Sequence, residues 1–209
     1  PAVAVIVAES QTVTIYDGDD PALPMWMVFN KTNGGTGYLS NPDSSALIST
    51  TTSLNGTLAV GHSFAYAFAG LVVINFLSDS ATKYNQSSQL GVLNLTISER
   101  NNTGASPVII ESVSPLVNYV INDVAMTVLP NAPVDPATGL PVPTTAVATE
   151  SGVSVITDSG AVYDSSYTDA IKDVAFDKDN TLYYMRRISS YLLSMAEPSE
   201  YTAGDGFGT

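Results

Sequence analysis

The clearest indication of the fold is the sequence IKDVAFDKDNTLYY at residues 171–184. Val174 and Phe176 alternate with polar or small residues, which is the period of a strand with one buried face. The residues KDN at 178–180 favour a tight turn, because Asp and Asn bond to nearby main chain and tolerate left-handed angles. TLYY then begins a second run of residues that favour strands. The stretch therefore predicts a strand–turn–strand unit.

Parts of this unit recur along the chain, and such recurrence is the mark of a repeat protein. Three pairs of segments resemble each other. They are IxDVA at 121–125 and 171–175, NGTLAV at 55–60 with DNTLYY at 179–184, and GLVVI at 70–74 with GVSVI at 152–156; TVTIY at 12–16 is a weaker echo of the last pair. Taken in order, the segments describe four antiparallel strands in about 40–50 residues, the size of a β-propeller blade.

We therefore predict an all-β fold, a β-propeller of four-stranded antiparallel blades whose ring is incomplete in this chain. The predicted blades are residues 1–30 (the later strands of a first blade), 31–117 (a second blade), 118–166 (a third blade) and 167–209 (the start of a fourth). The second blade contains a loop at 31–43 and an inserted hairpin at about 86–114. The third blade contains a Pro-rich loop at 130–143. Because strand-like sequence starts at once and the last residues contain no closing element, we expect the chain to be a segment of something larger.

Two segments need a choice between alternatives. The Pro-rich loop contains five prolines in residues 130–143, and proline cannot donate a ladder hydrogen bond. We predict that it is a stiff, extended loop between the first and second strands of its blade. The segment ISSYLLSM at 188–195 alternates polar and apolar residues in its second half. This pattern favours a strand, and the alternative is a short helix.

Composition excludes several classes of protein. The chain has 209 residues, of which 44% are hydrophobic and 13% charged, so it can bury a core. Its net charge of −13 repels phosphates and anionic lipids, so we expect no nucleic-acid partner and no membrane insertion. The longest apolar run, residues 64–74, is too short to span a bilayer as a helix and is interpreted as a buried hairpin.

The absence of cysteine excludes disulfides, thiolate catalysis and cysteine-based metal sites. It also favours a bacterial or viral source. The single histidine, His62, has no G-x-S-x-G sequence to work with, so an orienting or surface role is predicted for it. We predict no catalytic residue, no cofactor-binding residue and no metal ligand, and hence a protein that is not an enzyme.

Two acidic turns have carboxylates that could bind a cation. DKDN at 177–180 resembles the start of a calcium loop, but Leu182 stands where that loop requires glycine. An Asx-type turn is therefore predicted there, and a solvated turn at DGDD, residues 17–20. Cation binding is the alternative at both places.

Basic and aromatic residues cluster late in the chain. The pair Arg186–Arg187 is interpreted as a strand end that pairs with the protein's own acidic surface, or alternatively contacts a neighbouring subunit. The tyrosines are interpreted as strand packing, with sugar binding at a blade rim as the alternative. They are Tyr183, Tyr184, Tyr191 and Tyr201.

DVAFDKDNTLYYM, residues 173–185, resembles the repeat of NHL-type and related six-bladed propellers. ATESGVSVITDSG, residues 148–160, resembles the hairpin that follows in such propellers. The resemblance covers about half of the chain and implies a fold, not a function. Some proteins with this repeat are calcium-dependent lactonases or esterases, but no residue here can be matched to their Glu, Asn and Asp ligands.

The acidic, Ser/Thr/Asn-rich and loosely repeated sequence also resembles bacteriophage virion proteins, including tail-nozzle proteins with propeller domains. This resemblance implies a non-enzymatic structural or interaction protein in a virion, as a tail, nozzle or adhesin component that contacts other subunits in multiple copies. One alternative is an extracellular or cell-surface module that binds a host-surface glycan through exposed Tyr and Trp26. The other is a metal-dependent hydrolase or lactonase.

Overall fold

The computed structural model describes residues 1–30, 39, 47–63, 70–84, 86, 92–94, 115–136, 138–203 and 206–208. Within these residues the chain forms four antiparallel sheets, in each of which neighbouring strands follow one another in sequence. The prediction of an all-β fold made of antiparallel sheets is therefore confirmed. In the described part of the chain, no helix has the length and hydrophobicity needed to cross a membrane.

The strands have the following bounds. Sheet 1 contains β1 (Ala4–Glu9), β2 (Thr12–Asp17) and β3 (Met25–Asn30). Sheet 2 contains β4 (Ile48–Leu54), β5 (Thr57–His62), β6 (Leu71–Asn75), β7 (Ser80–Tyr84) and β8 (Val92–Asn94). Sheet 3 contains β9 (Ile121–Thr127), β10 (Thr144–Thr149), β11 (Gly152–Ile156) and β12 (Val162–Asp164). Sheet 4 contains β13 (Ala170–Phe176), β14 (Leu182–Arg187) and β15 (Tyr191–Ala196), and the helix α1 (Pro198–Tyr201) follows it.

The matched segments of the sequence occupy equivalent positions in these sheets. IxDVA forms the start of β9 and most of β13, the first strands of sheets 3 and 4. Before the second strands β5 and β14, the matched residues Gly56 and Asn180 adopt left-handed angles with φ of 73° and 65°. Gly70 precedes the third strand β6 and Gly152 begins the third strand β11, and their φ angles are 139° and 130°. The sequence repeat is thus also a structural repeat.

Three hydrophobic cores join the sheets in chain order. The core between sheets 1 and 2 contains Val13, Phe29 and Leu58. The core between sheets 2 and 3 contains Ala59, Ile121 and Val147. The core between sheets 3 and 4 contains Ala146, Val153, Ile171 and Leu182. Leu58 and Ala59 enter different cores because neighbouring residues of a strand point to opposite faces. Sheets 2 and 3 are therefore packed on both faces.

The segment that includes residues 188–195 contributes a strand, as predicted. β15 pairs with β14 along its whole length, from Tyr191 opposite Arg187 to Ala196 opposite Leu182. The helix that was the alternative begins only at Pro198. The pairing with β14 gives each residue of β15 a cross-strand neighbour, which a separate short helix would lack.

The Pro-rich loop between β9 and β10 is not extended as predicted but folds back on itself. Val134 and Pro141 form an antiparallel bridge, and the Asp135 N–H donates to the Leu140 carbonyl over 2.9 Å. Gly139 takes a φ of 68° and closes the turn. The loop can do this because only the prolines lack a donor, and the residues between them still pair.

Three predicted features fall mainly or partly outside the described residues. They are the loop at 31–43 apart from Leu39, residues 64–69 of the apolar hairpin, and most of the inserted hairpin at about 86–114. Within the last of these, Val92–Asn94 is β8 and pairs with β7 at the edge of sheet 2.

Candidate functional site: the ends of the sheet stack

The first strands of the four sheets lie side by side in chain order. β1 contacts β4, β4 contacts β9, and β9 contacts β13. Three of these strands contain a one-residue shift in their pairing with the second strand, at Ser49, Asn122 and Lys172. A bulge of this kind redirects the extra side chain and increases the local twist. The three bulges stand at the same position of the repeat.

Two of the bulge residues bond to the next sheet. Ser49 Oγ donates a hydrogen bond to the Ile121 carbonyl over 2.7 Å, and Asn122 Nδ2 donates to the Ile171 carbonyl over 2.7 Å. Each acceptor is the residue just before the bulge of the following sheet. The bulges thus form a repeated connection from sheet 2 to sheet 3 and from sheet 3 to sheet 4.

Asp123 joins three sheets. Its Oδ1 accepts a hydrogen bond from Thr50 Oγ1 of sheet 2 over 2.9 Å, and its Oδ2 accepts one from the Val174 N–H of sheet 4 over 3.1 Å. A carboxylate suits this position because both of its oxygens accept hydrogen bonds and the group has no hydrogen of its own that would require an acceptor. The Asp of the IxDVA repeat is therefore a connector between sheets.

Asp173 occupies the same repeat position in sheet 4, the last sheet that the structure describes. Its side chain is exposed. Its pKa is raised above the ordinary value, first by partial desolvation and then by the hydrogen bond and negative charge of Asp123. The two carboxyl groups of the repeat thus differ in environment although their sequence contexts match.

The side of sheet 4 that faces away from sheet 3 exposes several apolar side chains, and the exposed Arg187, which stands opposite Tyr191, shares this side. Tyr191, Leu193 and Met195 are 64%, 64% and 56% exposed. Leu193 stands opposite Met185, and Met195 opposite Tyr183, so all five side chains share one face. We call these five residues the outer face of sheet 4. A contiguous apolar patch of this kind marks an interaction site.

Sheet 1 has a similar surface at the other end of the stack. Val5, Val7 and Met25 are 40%, 41% and 62% exposed. Val5 stands opposite Tyr16, which in turn pairs with Met25, on the side away from the core with sheet 2. We call Val5, Val7, Tyr16 and Met25 the outer face of sheet 1. Each end of the stack therefore presents a sheet with one covered and one exposed side.

The position of His62 fits the orienting role, which is one of the two roles predicted for it. It is buried at the end of β5, and its Nδ1 lies 3.1 Å from the Gly70 carbonyl. The surface role that was the other expectation is wrong, because His62 is buried. The histidine fixes the start of β6 relative to the end of β5.

The two acidic turns use their carboxylates for main-chain hydrogen bonds. Asp177 Oδ1 accepts the N–H groups of Asp179 and Thr181, each over 2.9 Å, which confirms the predicted Asx-type turn. The Asp19 carboxylate accepts the Ala2 and Val3 N–H groups over 2.6 and 3.2 Å. Among the described residues, no three His, Cys, Asp or Glu side chains lie close enough together to hold a metal ion.

The two arginines of the basic pair have different environments. The Arg186 guanidinium bonds to Asp169, from Nε over 3.2 Å and from Nη2 over 2.5 Å, and its central carbon lies 3.3 Å from the centre of the Tyr167 ring. The predicted pairing with the protein's own acidic surface is thus confirmed for Arg186. Arg187 is exposed at the end of β14.

The aromatic residues divide between core and surface. Tyr184 and Tyr201 are buried, and the Tyr201 hydroxyl donates to the Asn180 carbonyl over 2.6 Å. Burial raises the pKa of Tyr201 to about 12. Tyr191 belongs to an outer face, and the partly exposed Trp26 packs edge-on against Phe76 at 5.9 Å between ring centres. Strand packing is confirmed for Tyr184 in β14, whereas Tyr201 lies in α1 and packs into the core between sheets 3 and 4.

Sequence reasoning missed the connectors and the outer faces. The signal for the connectors was present in the repeated Asp of IxDVA, but nothing local indicates that its oxygens bond to two other sheets. The signal for the outer face of sheet 4 was the alternation in YLLSM, residues 191–195, which indicates a strand with an apolar side but not which side is covered. Neither a protein-family model nor a curated protein matches the chain.

Proposed function

We propose that this chain is a non-enzymatic structural module of a large protein assembly, built on a β-propeller scaffold. The observation that carries the proposal is the contrast between the ends and the middle of the stack. Sheets 2 and 3 are packed on both faces, whereas sheets 1 and 4 each leave an apolar face exposed. A stack of this kind is suited to being continued by further protein.

The propeller scaffold is supported by the order of the strands. In a propeller, each blade is a four-stranded antiparallel sheet, and the blades surround a common axis. Here each sheet runs in sequence order from its first strand, and the first strands are neighbours. Sheets that radiate from adjacent first strands are what such a ring requires.

A structural role is supported by the use of the polar side chains. The repeated polar residues of the first strands, Ser49, Asn122 and Asp123, bond to neighbouring sheets. The carboxylates of the acidic turns bond to main-chain N–H groups. These groups connect parts of the fold, whereas an acid, base or metal ligand must face a substrate or an ion.

We further propose that the assembly is a phage or viral virion, with the chain present in many copies as a tail, nozzle or adhesin component. Support for this part comes from the style of the sequence, which is acidic, cysteine-free, loosely repeated and rich in Ser, Thr and Asn. Exposed apolar end faces are consistent with a protein that contacts other subunits.

Native mass spectrometry and negative-stain imaging of the chain in its source material test the proposal. The expected result is a particle or ring that contains many copies. A free monomer that hydrolyses esters or lactones, with activity removed by a chelator, would overturn it in favour of the hydrolase. A free monomer that binds glycans on an array would overturn it in favour of the carbohydrate-binding module.

A further inference from the structure

We infer that the outer face of sheet 4 binds the outer face of sheet 1 of a second copy of this chain, so that the copies stack head to tail. The inference rests on the proposed function and names the partner of its interaction surface. The outer faces are those already defined, Tyr183, Met185, Tyr191, Leu193 and Met195 on sheet 4 and Val5, Val7, Tyr16 and Met25 on sheet 1.

The first argument is continuity with the interfaces inside the chain. Between sheets 3 and 4, Asp123 on one first strand accepts the Val174 N–H of the next first strand. Asp173 repeats the position of Asp123 and is exposed on the last described sheet. A first strand stacked on sheet 4 would present a main-chain N–H to Asp173 as Val174 does to Asp123. The only other exposed sheet face described in this chain is that of sheet 1, which includes the first strand β1.

The second argument is the shape of the two first strands. Ala125 of β9 is small and packs against the core with sheet 4. Ala175 of β13 is its counterpart in the repeat, and it is exposed. Val5 and Val7 project from β1 toward the open side of sheet 1. Valine side chains against a strand with alanine reproduce the large-against-small packing by which stacked sheets interdigitate.

The third argument is charge. Arg187 ends β14, and Asp19 and Asp20 follow β2. β2 and β14 are both second strands of their sheets. In a continued stack, Arg187 and the two aspartates would therefore lie at the same end of the second strands. Inside the chain that end already contains an ion pair between neighbouring sheets, in which Lys172 of sheet 4 bonds to Glu150, which follows β10. Arg187 of one copy and the acidic turn of a second copy would bring opposite charges together at that end.

The arrangement is head to tail because the two outer faces differ. Such heterologous contacts form a closed ring if the rotation between copies closes, and a filament if it does not. The described residues of each copy contribute four sheets, so two copies supply eight, the upper end of the range of about 4–8 blades in propellers. We therefore expect a closed dimer.

Engineered disulfides test which faces meet. The chain has no cysteine, so every cross-link reports the introduced residues. Val7→Cys and Ala175→Cys variants are mixed and oxidised, and the expected product is a disulfide dimer that contains one of each. Each variant alone, and a mixture of either with Ser159→Cys at an exposed hairpin tip, are the controls and should cross-link at least tenfold less. Equal cross-linking in the controls would overturn the head-to-tail arrangement.

Sedimentation of the full chain tests whether the outer face of sheet 4 is needed for two copies to associate. Leu193→Asp changes a side chain that is 64% exposed, so the variant should fold, and circular dichroism checks this. We expect the wild type and a Ser159→Asp control to be dimers. The dissociation constant of the Leu193→Asp dimer should be at least tenfold higher than that of the wild-type dimer. A wild-type monomer at about 100 μM, a concentration that saturates a micromolar interface, would overturn the inference.

The inference and the proposed function fail in different ways. If the wild-type chain assembles but Leu193→Asp assembles equally well, and the mixed cysteine variants do not cross-link, the face is covered by another partner. The inference is then wrong, and the structural role remains. If the chain is a monomer with chelator-sensitive hydrolase activity, both are wrong.

Discussion

Sheets 3 and 4 begin with the same pattern, IxDVA, but differ in what surrounds them. All five residues of β11, the third strand of sheet 3, are buried, whereas β15, the third strand of sheet 4, has four exposed residues among its six. The difference does not come from the local sequence of the first strands, which match at four of five positions. It arises because sheet 3 lies between two sheets and sheet 4 is covered on one side. Position in the stack therefore sets how much each repeat contributes to stability.

The aspartates of the two repeats show the same contrast at one position. Asp123 accepts hydrogen bonds from the sheets on either side. Asp173 is exposed and has its pKa raised by desolvation and by the neighbouring carboxylate. The first aspartate is expected to stabilise the fold, and the second to matter only when another sheet is added. The substitutions below test this contrast, in decreasing order of the expected change in stability.

Truncating a residue between two sheets should have the largest effect. Ile121 is fully buried between sheets 2 and 3, and replacing a buried Ile by Ala lowers the free energy of unfolding by about 2–5 kcal/mol. Leu193→Ala on the outer face of sheet 4 should change it by about 0.5 kcal/mol or less. Urea unfolding of dilute, monomeric protein measures both. Equal losses would mean that the outer face is covered within a single chain.

Removing the connector should have the next largest effect. Asp123→Ala leaves the Val174 N–H and the Thr50 hydroxyl without their acceptor, and an unsatisfied buried donor costs about 1–3 kcal/mol. Asp173→Ala is the matched control, and thermal unfolding at neutral pH should show no loss or a small gain, because a like charge next to Asp123 is removed. A loss as large as that of Asp123→Ala would contradict the contrast.

The basic pair allows a comparison within two adjacent residues of sheet 4. Arg186→Lys loses the planar contact with Tyr167 and the two-nitrogen contact with Asp169, for which we expect a loss of about 1–2 kcal/mol. Arg187→Lys, at an exposed strand end, should be neutral within about 0.5 kcal/mol. Chemical unfolding distinguishes them, and two equal values would show that the covered side of sheet 4 does not depend on Arg186.

The pH dependence of stability should differ in sign between Glu150 and Asp173. Burial alone would raise the pKa of Glu150, but hydrogen bonds from Lys172 and Asn122 and the charges of Lys172 and Arg187 together lower it below 4.5. A lowered pKa in the folded state gives stability that is present above 4.5 and is lost as the pH falls through the folded value. Glu150→Gln should therefore reduce the loss of stability in acid.

Asp173 should act in the opposite direction, because its pKa is raised above 3.8 in the folded state. The folded protein then binds the proton more tightly, so stability decreases as the pH rises from 3.8 through the folded pKa. Asp173→Asn should remove this decrease. Both effects are small because both groups are partly exposed. Unfolding curves between about pH 3 and 7 that are the same in wild type and both variants would contradict these assignments.

Much of the fold could be predicted because its signals are local. The alternation in residues 171–176, the turn residues at 178–180 and the glycines before β6 and β11 act within a few residues, so the strands, turns and repeats could be read in order. The chain reversal inside residues 130–143 was missed, because the prolines suggested stiffness and the bridge between Val134 and Pro141 depends on the turn at Gly139.

The candidate site could not be predicted in the same way. The hydrogen bond from Asn122 to the Ile171 carbonyl joins residues that are 49 positions apart. The identity of Asn122 indicates a donor but not its partner, which depends on how β9 and β13 are placed by the cores between the sheets. The same is true of the face of β15, whose alternation is visible in the sequence and whose exposure is not.

Strand period and turn angles are set by neighbours along the chain, so the class of fold, the repeat and the turns could be inferred from the sequence. Which faces are covered, which aspartate is a connector and which is exposed, and where two exposed surfaces remain at the ends of the stack depend on the tertiary structure. The physical reason is that burial and long-range hydrogen bonds depend on the neighbouring sheet, which no segment of sequence specifies alone.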